Sequence, residues 1–354
     1  MLFDLTLPLL SSFLINYLIM RLTPNISYFS NNFDLQGVQN FHFQPTPRIS
    51  GISIFVSFFA SLWFLNLQEG WYVAMLFASL PAFMFGLTED ITARVSPRLR
   101  MFSILMSISA AFFWLDIGVT ELGFEWVDGY LSSYIVLSLL FTLLVVGGLV
   151  NAINIIDGNN GLMAGYSILV MLAIAYIARI VGDDLVFHLS LILTSSLTGF
   201  FVFNFPLGKI FMGDGGAYFV GFMMAMIGLM LGIRNEEVSH WFVLLLFIYP
   251  LYETAFSIYR RKLLHKTDAS QPDANHLHSL IYRKLIFCDR FKHNKVICNS
   301  AVSPFMWLLS LVGIIPAVVW YNNQAMLVIW AFVFMLVYTV IYKYIASDKL
   351  KFNH

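Results

Sequence analysis

Charge is scarce in this chain. Asp, Glu, Lys and Arg make up only 11% of its 354 residues, where a soluble globular protein carries about a quarter. Apolar residues make up 59% and the mean hydropathy is +0.78, which excludes a soluble domain and points to a polytopic membrane protein. Acidic and basic residues are equal at 20 each, so no basic surplus supports a nucleic-acid partner. Cysteine is nearly absent. Cys288 and Cys298 alone exclude a disulfide framework and a cysteine zinc site. The first apolar run, Leu5 to Met20, lacks a basic leader and a small-residue cleavage site, so it is expected to stay as a span. No strand-length alternation appears. Helices are the form expected where lipid offers the backbone no partners.

What is present is a series of apolar runs near the 20 residues or so that a helical span needs. Eleven are expected, at about 3–21, 50–67, 71–88, 101–118, 131–151, 162–181, 185–204, 215–233, 240–258, 303–321 and 325–344, forming one all-α integral-membrane domain over 1–354. With the N-terminus outside, 18 of the 20 basic residues fall on the cytoplasmic side, and only Arg179 and Arg234 fall on the other. That asymmetry satisfies the positive-inside rule and places the C-terminus in the cytoplasm.

The polar stretches then share one membrane face. The chain is centred on Asn151-Ala-Ile-Asn-Ile-Ile-Asp-Gly-Asn-Asn-Gly-Leu-Met-Ala-Gly165, which packs four Asn, one Asp and three Gly between two apolar runs. A plain turn needs no more than Asn-Gly; this many amides at membrane depth are costly unless they bind something. Glu89-Asp90, with Arg94, Arg98 and Arg100 following, suits metal binding, phosphate handling or base work, or is a solvated loop. Phe211-Met-Gly-Asp-Gly-Gly216 opens an apolar helix. Free amides there make an anion site, and Asp214 can hold a divalent cation, or it simply caps the helix. Asn204 is an amide able to face a nucleobase edge. His276 and His278, followed by Arg283 and Lys284 in the long loop 259–302, are too few for a metal site but suit phosphate oxygens. Together these residues describe a membrane enzyme working on a phosphorylated soluble substrate and a second substrate that lives in the bilayer.

At this point the chain resembles the polyprenyl-phosphate N-acetylhexosamine-1-phosphate transferases. The resemblance is carried, in order, by Pro45-Thr-Pro-Arg-Ile-Ser-Gly51, Glu89-Asp90, Asn151 to Gly161, Asn204-Phe-Pro, Phe211-Met-Gly-Asp214 and His276-Leu-His278. It implies transfer of N-acetylhexosamine-1-phosphate from a UDP-N-acetylhexosamine, UDP-N-acetylglucosamine by default, to polyprenyl (undecaprenyl) phosphate, with release of UMP. It implies a bacterial inner membrane and the start of a cell-surface polysaccharide such as an O-antigen. Asp214 matches the ligand of Mg²⁺, with Mn²⁺ as the substitute. Asp90 with Glu89 matches the acidic pair acting on the lipid phosphate, and Asp157 joins them among the catalytic positions. Asn154, Asn160, Asn204, Phe211, Arg48, His276, His278 and Arg283 match substrate-binding positions, Asn204 and Phe211 at uracil and the histidines at the diphosphate or sugar. Self-association is left open.

The chain departs from the family at four places. Glu89 replaces an Asp, Ser50 a Gly and Asn160 an Asp, and Leu277 interrupts the histidines. The split histidines imply the polysaccharide-initiating branch rather than the lipid I branch. Two alternatives compete. A sugar transporter expects charge near mid-span and inverted repeats, and neither is read in this sequence. A phosphatidyl-transferring enzyme expects several Asp at helical spacing after an Asp-Gly, which Asp157-Gly158 lacks.

Overall fold

The computed structural model describes residues 2–23, 46–65, 69–265, 275–286 and 294–347. Among them there is no strand. The helices are α1 (Leu2–Leu22), α2 (Gly51–Leu65), α3 (Glu69–Thr92), α4 (Pro97–Leu115), α5 (Glu125–Ser133), α6 (Ile135–Ile155), α7 (Leu162–Val181), α8 (Asp184–Asn204), α9 (Gly213–Arg234), α10 (His240–Leu246), α11 (Ile248–Tyr259), α12 (Leu277–Ile286), α13 (Lys295–Val319) and α14 (Gln324–Ser347). A π-helical segment, Arg260–His265, continues α11.

Nine of the described helices are long and apolar enough to cross a membrane, and α10 with α11, bent by 68°, makes a tenth. The eleventh expected span is α2, which has 15 residues. At 1.5 Å per residue these described residues cover about 22 Å of a hydrocarbon core of about 30 Å, and positions 66–67 of the expected span lie outside the described residues. The helix is buried along Ile54, Phe58, Phe59 and Leu62, so its place is set by neighbouring helices.

Three boundaries differ from the hydropathy reading. The run 131–151 divides into a short surface helix, α5, and a span, α6, that ends at Ile155. The run 240–258 breaks at Phe247. Helix α13 begins eight residues before 303, because the Asn294 side chain accepts hydrogen bonds from Val296 N and Ile297 N and caps it.

The centre of the bundle is α9, buried at nearly every position from Gly213 to Gly232. Lipid supplies no hydrophobic force between helices, so close approach depends on small side chains. At Gly86 of α3, a Cβ would lie 2.6 Å from Gly215 Cα; at Gly51 of α2, a Cβ would lie 2.4 Å from Gly216 Cα. Further along, Phe55 and Phe83 stack at 4.2 Å between ring centres, and Phe219 of α9 meets them edge-on. Glycine thus brings the helix starts together, and aromatic rings fill the space behind them.

At the far end of α9, Asp183 caps α8 and accepts hydrogen bonds from Arg234 Nε (2.7 Å) and Asn235 Nδ2 (3.1 Å). Burial opposes the charge of Asp183, but these donors hold its carboxyl below the usual range.

The Gly86–Gly215 contact is backbone against backbone, so no rotamer change relieves it. Gly86→Ala is expected to cost about 1–3 kcal/mol by overpacking and to lower the thermal midpoint in detergent. An unchanged midpoint would show that α3 and α9 separate without penalty.

Candidate functional site

Helix direction gathers the start of α2, the end of α3, the starts of α4, α7, α9 and α13, and the ends of α6, α8 and α11 at one end of the bundle. Here the Asp90 carboxylate accepts hydrogen bonds from Asp214 N (2.8 Å) and Gly215 N (2.9 Å). It caps α9 from another helix, where the helix dipole favours negative charge. The α9 amides expected to be free for a bound anion therefore already hold one. Gly213, at φ +78°, makes the turn into α9; a Cβ there would meet Arg48 O at 2.0 Å and Asp90 Oδ2 at 2.4 Å. The segment before α2 is tied to the same turn through Phe211 N to Pro47 O (2.8 Å) and Gly51 N to Met212 O (3.0 Å).

With Asp90 engaged on backbone, Asp214 is the carboxylate that gathers side chains. Arg100 Nη1 and Tyr218 Oη donate to its Oδ2. Asn154 Nδ2 donates to Oδ1 at 3.2 Å, and Arg48 Nη2 stands 4.0 Å from that oxygen. Glu89 instead accepts from Val95 N at 2.7 Å, shaping the turn into α4. Asp157 lies in the turn after α6. Burial pushes its carboxyl up to about 7, with Arg48 pulling it down and Asp214 pushing it up.

A second group of amides is engaged with the protein itself. Asn204 Oδ1 accepts from Gly161 N (2.6 Å), and its Nδ2 donates to Ile210 O (2.8 Å). Asn160 Nδ2 donates to Pro206 O (3.3 Å) and Ser300 Oγ (3.1 Å). Its backbone N donates to Asn299 Oδ1 (2.7 Å), and its backbone O accepts from Ser303 Oγ (2.6 Å). Phe211 is half-buried on the segment between these amides and Asp214.

The histidines form a third group. His276 and His278 stack with rings 5.3 Å apart and 4° from parallel. His276 Nδ1 lies 3.1 Å from Glu253 Oε1, which also accepts from Leu277 N at 2.9 Å. His278 Nε2 would lie 3.1 Å from a Cβ at Gly158, so the stack faces the central stretch. Arg283 sits farther along α12, bonded to Asn275 Oδ1 (3.3 Å). Pro45, Asp273 and Ala274 lie outside the described residues.

Asp90, Asn154, Asp157, Arg48 and Asp214 are thus brought together, with the histidines against their edge at Gly158. Several residues escaped the sequence reading. Glu253 is a carboxylate 1% exposed inside a bent span, although no charge near mid-span was read in the sequence; its signal was an acid lying alone in an apolar run. Asn299 and Ser300 were placed in a loop because α13 was started too late. Tyr218 sits one turn after Asp214 on the same helix face.

Residues 72–232 match the family "Glycosyl transferase family 4". The chain is 28% identical over 289 residues to the "Probable undecaprenyl-phosphate N-acetylglucosaminyl 1-phosphate transferase" of Bacillus subtilis (strain 168), covering 79% of this chain and 76% of that one. It is 26% identical over 245 residues to the "Undecaprenyl-phosphate alpha-N-acetylglucosaminyl 1-phosphate transferase" of Thermotoga maritima, covering 69% and 70%. It is 33% identical over 194 residues to the "Putative UDP-N-acetylglucosamine--dolichyl-phosphate N-acetylglucosaminephosphotransferase" of Sulfolobus acidocaldarius, covering 52% and 58%.

The raised folded value of Asp157 sets a pH test. Its unfolded value is about 3.9, so the protonated carboxyl contributes stability that is complete below that value and is lost as pH rises through about 7. The thermal midpoint is expected to fall between about pH 4 and pH 7 more in the wild type than in Asp157→Asn; parallel profiles would refute the assignment. Asn160→Asp replaces donors to Pro206 O and Ser300 Oγ with a carboxylate facing a carbonyl. A loss of about 1–3 kcal/mol is expected, read as a lower midpoint, whereas a neutral effect would mean these bonds contribute nothing.

Proposed function

We propose, from the premise that the chain belongs to the family of polyprenyl-phosphate N-acetylhexosamine-1-phosphate transferases, that it moves N-acetylhexosamine-1-phosphate from a UDP-sugar to polyprenyl phosphate. UDP-N-acetylglucosamine is the first donor to test and undecaprenyl phosphate the first acceptor. An oxygen of the lipid phosphate attacks the sugar-bearing phosphorus of the donor. The bond between the two donor phosphates breaks, and UMP leaves. The product begins a cell-surface polysaccharide, made on the cytoplasmic face of a bacterial inner membrane.

The observation that carries this reading is the placement of Asp214. It is a carboxylate at the mouth of a membrane bundle, ringed by Arg100, Arg48 and Asn154. Among the described residues no group of three or more His, Cys, Asp or Glu is clustered as a metal cage. One carboxylate beside cationic groups fits Mg²⁺, which takes one or two protein carboxylates and completes its shell with water and substrate phosphates. Asp214 would hold it, with Asn154 and Asp157 alongside. When bound, the ion neutralises charge as the phosphate–phosphate bond breaks.

The chain's own residues divide the remaining work. Arg48 and Arg100 offset diphosphate charge. Asp90 holds the start of α9, so Asp214 meets the substrate from a fixed helix. A lipid phosphate is already anionic near neutral pH, and no base is required of Asp90. Asn204 and Asn160 hold the nucleotide pocket in shape, and Phe211 offers a ring to the base. Glu253, the charge that a transporter reading would claim, turns to His276 at the same end of the bundle.

Purified protein with Mg²⁺, undecaprenyl phosphate and UDP-N-acetylglucosamine is expected to release UMP. Asp214→Asn is expected to lower turnover at least about 100-fold. Absence of UMP with every UDP-N-acetylhexosamine, or near-normal turnover of the variant, would overturn the reading.

A further inference from the structure

Glu253 is the group that the transfer reading leaves without work. It lies on α11, 1% exposed, within a helix pair apolar enough to cross the membrane. A carboxylate in that setting is expensive unless its charge is matched. An apolar side chain of similar size would pack α11 at lower cost, so packing does not explain it. Its Oε1 faces two groups at once: His276 Nδ1 at 3.1 Å and Leu277 N at 2.9 Å. The first sets the imidazole. A carboxylate at Nδ1 holds a proton on that nitrogen and fixes the plane of the ring. The second sets the backbone, because Leu277 is the first residue of α12 and its amide has no partner within the helix.

The consequence passes on to His278. The two rings are parallel within 4°, so fixing one fixes the other. His278 Nε2 stands beside Gly158, next to Asp157 in the central stretch. A neighbouring anchor holds the residue before the pair: Arg260 donates to Asn275 O (3.0 Å) and to Tyr342 Oη (2.7 Å). Arg260 therefore holds Asn275, and Glu253 aims the imidazoles.

We propose that Glu253 is the positioning residue of the histidine pair, holding His276 and His278 against the Asp157-Gly158 turn to receive the phosphate-bearing end of the UDP-sugar. The proposal rests on the transferase reading for the identity of that ligand, and on the Glu253–His276 geometry for the rest. Glu253 acts through His276 and touches no substrate itself.

The test combines kinetics with a spectroscopic arm on the full-length protein in detergent. Glu253→Gln keeps an acceptor for Leu277 N but removes the charge facing Nδ1. It is expected to raise KM for UDP-N-acetylglucosamine about 10-fold with kcat changed less than about 3-fold. His276→Asn should do the same, and the double variant should be no worse than either single one, since the residues act as one unit. Additive effects, or a fall in kcat alone, would overturn the proposal. In the second arm, ¹⁵N-histidine spectra compare wild type with Glu253→Gln, using His276→Asn to assign the signal. A His276 Nδ1–H resonance that shifts or disappears in Glu253→Gln supports the pairing; its absence from the wild type overturns it. If the wild type releases no UMP, the transferase reading fails, while the spectra still decide the pairing.

Discussion

The contact between Asp90 and the start of α9 is the constraint on which the rest of the site depends. A helix N-terminus presents unsatisfied amides, and an isolated carboxylate at membrane depth lacks donors. Each meets the other's need across two helices. The arrangement requires α3 to approach α9 at near backbone contact, and Gly86 and Gly215 permit that approach. Asp214 follows directly: with its own amide taken by Asp90, its side chain turns to Arg100, Arg48 and Asn154. Removing the glycine contact would therefore disturb chemistry through geometry, without touching a reacting group.

Electrostatics then limits what the cluster does. Asp90, Asp157 and Asp214 stand close together, and like charges in a low-dielectric setting raise one another's cost of ionisation. Asp157 shows the cost most plainly: burial pushes its carboxyl up to about 7, Arg48 pulls it down only in part, and Asp214 adds to the rise. On the proposed transferase reading, a cation beside Asp214 would offset this cost, and the same arginines would face the diphosphate.

Most of the architecture was legible in the hydropathy, because lipid imposes length and composition on each span. The exceptions share a cause: neighbouring protein replaced lipid as the surroundings. Helix α2 starts inside the site and packs on α9, so its beginning is set by protein and not by lipid. Helix α13 starts early because Asn294 caps it, a local bond that hydropathy does not register. The motif residues were found by their unusual polarity, but their roles were not. Polarity does not distinguish an amide facing a ligand from one facing backbone, and Asn160 and Asn204 face backbone. Glu253 was passed over because the apolar run around it was read as a whole.

That difference between facing inward and facing the mouth organises the site. The inward amides join the central stretch to α13 through Asn160 and to α8 through Asn204, so these elements form one unit. The histidine loop joins the same unit from the other side, through Glu253 of α11 and Arg260 of the segment that follows. Asp214 belongs to neither and stands on α9, the most buried helix. The amides and the histidines stand instead at turns and helix ends, each tied down at one or two points.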